Sequence, residues 1–293
     1  MPERKPIGSV SVVGLGSMGQ AVVRAFLAAG VAVTAWNRSA EKADAMVELG
    51  ARRAATIREV LDANDLIVVS LTHYAAMYDA LGSASDRLAG KVIANLSSDS
   101  PANTREAAAW VRSHGGDFLA GGVMAQSDGL TNPESYVFYA GRRAVFEAHR
   151  DLLRVLNAPE YLGEDAGLAQ LYYQAVLAIF NPLLLGVEQA LAMIDRSGEP
   201  IDRFLPYAQR SLGRVDDVYA GLAASAQAGG LGDVANLPMM AAGARHVLET
   251  SEAVGVDTAL ARTVQGYWHR AIAESGRRGE LVPTFAVLRG DHA

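Results

Sequence analysis

The chain has no cysteine among its 293 residues, which excludes disulfides, thiolate nucleophiles and cysteine-held metals. Its six histidines fall in no metal-ligand spacing such as HExxH, so no bound metal is expected. Positive charge is not in excess: 26 Lys and Arg stand against 32 Asp and Glu, a net charge of -6. The cations are scattered rather than clustered, which argues against a nucleic-acid partner. No apolar h-region precedes the first strand, and no run of about 18 apolar residues passes without polar or helical interruption. A soluble, cytoplasmic protein without a membrane partner is expected. What the chain does have is apolar residues at 50%, enough to bury one or two cores, and a length that suggests two domains.

Over residues 7–163, short β-branched runs alternate with helical stretches. SVSVVGLG leads into a helix to about Ala29, VAVTAWN into a helix near Glu41 to Leu49, and DLIVVSLT and KVIANLS follow. Such alternation predicts βαβ units and a parallel sheet. GDFLAGGVM and SYVFYAG read as further strands, and RAVFEAHRDLLRVL as a closing helix. Past Gly163 the strand signal stops. Residues 166–196 read as one long apolar helix, kinked at Pro182. At about 45 Å such a helix outreaches a domain of this size, so part of it should pack on a second subunit. The remainder to about Arg289 is helical in period, with loops predicted at AGGLGD and ESGRRGE. The expected architecture is an α/β Rossmann-type domain over 1–163, then over 164–293 an interdomain helix and an all-α dimerisation and substrate domain.

Gly14-Leu15-Gly16-Ser17-Met18-Gly19 follows the first strand and opens the first helix. Its glycines suit a tight turn, close backbone approach to a pyrophosphate and helix-on-strand packing, while the helix N-terminus favours phosphate charge. A chain that prefers NADH usually ends its second strand in Asp or Glu, to hold the ribose hydroxyls. Here that strand ends Trp36-Asn37-Arg38-Ser39, with Lys42 a turn later. Arg38 and Lys42 match a 2′-phosphate in charge, and Ser39 and Asn37 could hydrogen-bond it, so NADPH (NADP+) is the expected cofactor.

The motifs GLGSMG, AWNRSAEKADAMVELGA, VVSLT, NLSSDSP, FLAGGVMA and GLAQLYYQA together resemble the β-hydroxyacid dehydrogenase superfamily and, within it, the imine reductases. The resemblance covers nearly the whole chain. It implies that Leu71, Thr72, Asn95 and Ser97 join the cofactor site. The dehydrogenase motif D-x-S-T-x-x-P corresponds to Asn95, Ser97, Ser98 and Pro101, so the serine is kept and the acid is not. The Ser-Gly-Gly turn that holds a substrate carboxylate in those enzymes corresponds to Met124, Ala125 and Gln126; a thioether cannot donate a hydrogen bond. Their GxGxxxKxxNN helix motif aligns with Gly167, Ala169, Tyr173, Val176 and Leu177. The catalytic lysine is therefore a tyrosine here, and both asparagines are apolar, whereas imine reductases are similar in carrying Asp or Tyr at that position. Tyr173 is the implied catalytic residue.

An ammonium about 4 Å from an iminium would cost roughly 4 kcal/mol at an effective dielectric near 20, a penalty a neutral phenol avoids. Tyr173 would either donate a proton to the imine nitrogen or only orient it. Tyr172, about 100° away around the helix, reads as a packing residue, as does His246. Gln174 and Asn181 are secondary polar candidates. The resemblance further implies an intertwined, domain-swapped homodimer with an apolar pocket. Val123, Met124, Ala125, Met239, Met240 and Trp268 would line that pocket, with Tyr219 a further candidate. Its small-molecule substrate would be a cyclic imine or iminium ion, and its product a chiral amine tending to S configuration. The alternatives are a hydroxyacid or carbonyl reductase with altered proton chemistry, and a catalytically silent NADPH-binding protein.

Overall fold

The computed structural model describes residues 8–213, 215–228 and 237–291. In chain order the first part runs β1 (Ser9–Val13), α1 (Ser17–Ala28), β2 (Ala32–Trp36), α2 (Ala40–Val47), β3 (Arg52–Arg53), α3 (Ile57–Ala63), β4 (Leu66–Val69) and α4 (Tyr74–Leu81). It continues with β5 (Val92–Asn95), α5 (Pro101–Ser113), β6 (Asp117–Met124), β7 (Tyr136–Gly141), α6 (Arg143–Leu153) and β8 (Ala158–Gly163). These strands form one eight-stranded sheet in the order β3-β2-β1-β4-β5-β6-β7-β8. The central strands β4 and β5 are buried at every position, as expected of strands covered by helices on both faces. Val10 and Val12 pack into one apolar layer and Val13 into the other. Because β1 pairs with β2 on one side and β4 on the other, the chain reverses its direction of growth at β1, and a crevice opens at the carboxyl ends of these strands.

Two features of the sheet differ from the reading of the sequence. β6 and β7 pair antiparallel, not parallel; residues 125–135 between them hold no helix to carry a crossover. The half-exposed strand β8, sequence APEYLG, is not foreshadowed by the sequence pattern. It lies at the sheet edge, where the missing N–H of Pro159 is tolerated.

The second part is helical: α7 (Gly167–Arg196), α8 (Ile201–Leu212), α9 (Val215–Gln227), α10 (Leu237–Val254), α11 (Ala259–Arg278) and α12 (Thr284–Arg289). The chain divides into two compact units after Ala178, so the first turns of α7 belong with the sheet. α7 is a single helix of 30 residues carried through Pro182. It is long and apolar enough, by length and composition alone, to cross a membrane, with mean hydropathy 1.7 in its most apolar window, although polar residues interrupt its apolar run. The predicted AGGLGD loop lies, apart from its first residue, outside the described residues. The loop predicted at ESGRRGE is instead the last turn of α11, which ends only where Gly279 takes φ +70°. Glu274 bonds Arg277 and Arg278 within that turn, and the basic pair suits a helix C-terminus.

Candidate active site

The crevice at the end of β1 is shaped by glycines that differ in what they allow. Gly14 has φ +94°, and a Cβ there would lie 2.2 Å from the Ser70 carbonyl oxygen. A Cβ on Gly19 would lie 2.0 Å from the Gly14 carbonyl oxygen, so this glycine lets α1 seat against the loop. Gly16 faces open space, and a Cβ added there would meet nothing within 4 Å. It is also the N-cap of α1 and offers no side-chain cap, leaving first-turn N–H groups free for an anion. The cleft has a volume of about 640 Å³ and is lined by Gly14, Leu15, Gly16, Ser17, Met18, Asn37, Arg38, Ser39, Lys42, Leu71 and Thr72. An open glycine cradle at a helix N-terminus, with two cations free of any salt bridge among the described residues, fits a phosphorylated dinucleotide.

Three of the expected cofactor residues work from behind the cleft. Gly19 is buried packing. Asn95 is fully buried, accepting from the Ser97 N–H and donating to the Met77 sulfur. Ser97 Oγ accepts from the Leu71 N–H at 3.0 Å and so holds the cleft-lining loop. Asn37 lines the cleft, but its side chain is largely engaged: Oδ1 accepts from Leu15 N–H at 2.9 Å and Nδ2 donates to the Ser39 carbonyl at 3.0 Å. It braces the glycine loop against the end of β2. Trp36, Ser70 and Asp79 also line the cleft; Trp36 and Ser70 fall inside the motifs AWNRSAEKADAMVELGA and VVSLT, whereas no motif points to Asp79.

A second, smaller cavity of about 170 Å³ shares Met18, Ser70 and Leu71 with the cleft. Its remaining wall is Leu96, Ser98, Gly121, Gly122, Val123, Ala125, Gln170 and Tyr173, so no charged side chain lines it. Tyr173, Val123 and Ala125 are thus brought together around one cavity. Met124 does not line it. Met239, Met240, Trp268 and Tyr219 belong to the second unit. There Met239, Met240 and Tyr219 are exposed, and Trp268 packs beside Leu237, Ala271, Val282 and Val287.

The approach of α7 to the sheet places Tyr173. A Cβ on Gly122 would lie 3.0 Å from Tyr173 Cβ and 3.1 Å from the Ala169 carbonyl oxygen, so only glycine lets the helix come this close without displacement. At the start of α7, Asp165 accepts from Gly167 N–H while forming a two-point bridge with Arg105 at 2.8 Å. Gln174 donates to Ser98 Oγ at 3.0 Å and to the Asp99 carbonyl at 3.2 Å, tying the helix to the loop after β5. In that loop burial pushes the Asp99 carboxyl up, but donation from Ser100 N–H, Tyr74 N–H and the Asn103 amide, with the His73 ring nearby, holds it below the usual carboxylate range. Gln170, fully buried, escapes a reading of the sequence; its only signal there is a polar residue inside an apolar stretch. Tyr172 is half exposed and packs edge-on against Phe138 at 5.7 Å, while Asn181 and His246 are exposed.

A glycine-lined crevice at the sheet's switch point, sharing three residues with an uncharged cavity that Tyr173 lines, fits a dinucleotide-dependent oxidoreductase. Residues 9–163 match the NAD binding domain of 6-phosphogluconate dehydrogenase, and residues 165–289 the C-terminal domain of NADPH-dependent reductive aminase-like proteins. An NADPH-dependent reductive aminase from Aspergillus oryzae is 31% identical over 277 residues, spanning 92% of this chain and 93% of its own length. The structure of a Streptomyces aurantiacus imine reductase is 40% identical and covers 97% of this chain and 100% of that one, with a TM-score of 0.90. That of an Aspergillus terreus reductive aminase, solved with NADPH and ethyl-5-oxohexanoate, is 31% identical and covers 91% and 94%, with a TM-score of 0.86. The chain belongs to the imine reductase and reductive aminase family, NADPH-dependent oxidoreductases acting on C=N bonds.

Proposed function

We propose that this chain reduces cyclic imines or iminium ions to amines at the expense of NADPH, with Tyr173 as the hydrogen-bond donor to the imine nitrogen. The observation that carries this reading is the uncharged wall of the small cavity, of which Tyr173 is part. A carboxylate-bearing hydroxyacid would find no cation there to pair with, and a cationic iminium would meet no repelling ammonium. When bound, NADPH supplies the hydride. The first turn of α1 would hold its pyrophosphate, and Arg38, Lys42 and Ser39 its 2′-phosphate. The Tyr173 hydroxyl then either passes its proton to the nitrogen or fixes the nitrogen's orientation, while the apolar side chains Leu96, Val123 and Ala125 keep water from the reacting carbon.

The active unit is a homodimer with intertwined helical domains, in which Met239, Met240 and Trp268 of a second copy complete the pocket. Support comes from the apolar side chains Ile179, Phe180, Leu184 and Leu185 on α7, each at least two-fifths exposed in the single chain. An exposed stripe of that kind calls for a protein partner. The dimer is cytoplasmic, and its product is a chiral amine of S tendency. Mixing the protein with NADPH and a panel of cyclic imines, ketones and 3-hydroxyacids, while following the absorbance of the reduced cofactor, tests the reaction. Turnover of the imines is expected; turnover of hydroxyacids by NADP+ with the imines untouched would overturn it. Light scattering after size exclusion tests the dimer, and a monomer at micromolar concentration would contradict it.

A further inference from the structure

Gln170 lies one helical turn before Tyr173, on the same side of α7, and both line the small cavity. It is fully buried. Its Nε2 donates to the Gly121 carbonyl at 2.9 Å and to the Ser97 carbonyl at 3.2 Å, and its Oε1 accepts from the Asp99 N–H at 3.2 Å. Both amide hydrogens and the amide oxygen are therefore used, all on backbone groups of the β5 loop and β6. The connection reaches the cofactor cleft: Ser97, whose carbonyl Gln170 holds, accepts through Oγ from Leu71 N–H, and Leu71 lines both cleft and cavity. Three backbone points on two separate elements determine how far α7 can rotate about its own axis. A rotation of about 10° would carry the Tyr173 hydroxyl on the order of 1 Å. Reacting groups misplaced by about that distance lose up to about a hundredfold in rate.

We propose that Gln170 is a positioning residue for the reduction: it sets the rotation of α7, and with it the Tyr173 hydroxyl, relative to the Leu71 and Ser97 loop. This rests on the reading of Tyr173 given above. An apolar side chain of similar length would fill the space but leave the Gly121, Ser97 and Asp99 backbone groups unpaired. Glutamate keeps the shape and the acceptor for Asp99 but loses the donors to the two carbonyls.

The test is a double-mutant cycle. Gln170→Met and Gln170→Glu are each made in the wild-type and Tyr173→Phe backgrounds, and kcat, KM for a cyclic imine and the Kd of NADPH are measured. Positioning predicts that either Gln170 variant lowers kcat about ten- to a hundredfold, with NADPH affinity within about twofold. It also predicts that this loss shrinks to less than about threefold once Tyr173→Phe is already present. An equal loss in both backgrounds overturns the proposal, because Gln170 would then act on the fold or the cofactor and not through Tyr173. Unchanged kcat in the Gln170 variants overturns it too, as does failure of both to yield folded, NADPH-binding protein, which would mark a purely structural role. Full activity of Tyr173→Phe alone is a separate outcome: it removes the reading of Tyr173 and the proposal with it.

Discussion

Gly122→Ala adds one methyl group at the point where α7 rests on β6. The new carbon would sit 3.0 Å from Tyr173 Cβ and 3.1 Å from the Ala169 carbonyl oxygen. Carbon pairs pack best at about 3.5–4.0 Å, so relief requires the helix to retreat by roughly half an ångström or more. Gly122 is not among the positive-φ glycines, so alanine adds no backbone strain, and the cost is steric. Overpacking of this kind costs about 1–3 kcal/mol, partly offset by about 0.4–1 kcal/mol from the lower entropy of the unfolded chain. The melting temperature should then fall by a few degrees. Displacing Tyr173 by about half an ångström should lower kcat on the order of tenfold. The glycine loop and Arg38 lie on other elements, so NADPH affinity should hold within about twofold. Steady-state kinetics with a cyclic imine, fluorescence titration with NADPH and a thermal melt read the three quantities. A folded Gly122→Ala variant with wild-type kcat would refute the reasoning that contact between β6 and α7 places the phenol.

Other perturbations reach different parts of the molecule. Arg38→Ala removes a cation lining the cleft; losing a charged hydrogen bond costs about 1.5–3 kcal/mol, so kcat/KM for NADPH should fall roughly ten- to a hundredfold while that for NADH changes little. Tyr139 is fully buried, its hydroxyl meets no partner among the described residues, and burial pushes its phenol well above the ordinary range. Tyr139→Phe should therefore leave stability unchanged or raise it by about 1 kcal/mol, and a lower melting temperature would contradict this. Hydrogen bonds from Arg277 and Arg278 lower the Glu274 carboxyl from 4.5 to about 2. A folded-state value below the unfolded one adds stability that is complete above about pH 5 and is lost as pH falls towards 2. The melting-temperature gap between wild type and Glu274→Gln should thus be constant from pH 5 to 7 and narrow at pH 3. A gap that widens on acidification would contradict that sign.

The parts of the fold legible in the sequence are those in which local and tertiary demands coincide. LIVV and VIAN are buried on both faces, so their apolar runs announce themselves. GLGSMG carries its geometry in its glycines. β8 is half exposed and contains Pro159, so no alternation marks it, and only pairing with β7 makes it a strand. ESGRRGE reads as a loop by composition because its glycines outweigh the carboxylate–arginine pairs that keep the turn helical. Residue type alone also does not show that the Asn37 amide braces Leu15 and Ser39. The direction of Tyr173 comes from resemblance, since helical period says that neighbouring side chains diverge but not which of them meets the sheet. Gln170 stays hidden for a related reason. Its partners are backbone groups of Ser97, Asp99 and Gly121, and a backbone carbonyl has no signature in sequence.

The most direct measurement is the single-turnover rate of NADPH oxidation by a cyclic imine for wild type and Tyr173→Phe, under conditions that saturate the cofactor site. A phenol that donates to the imine nitrogen predicts a tenfold to hundredfold slower transfer in the variant with NADPH affinity retained. An undiminished rate would contradict it.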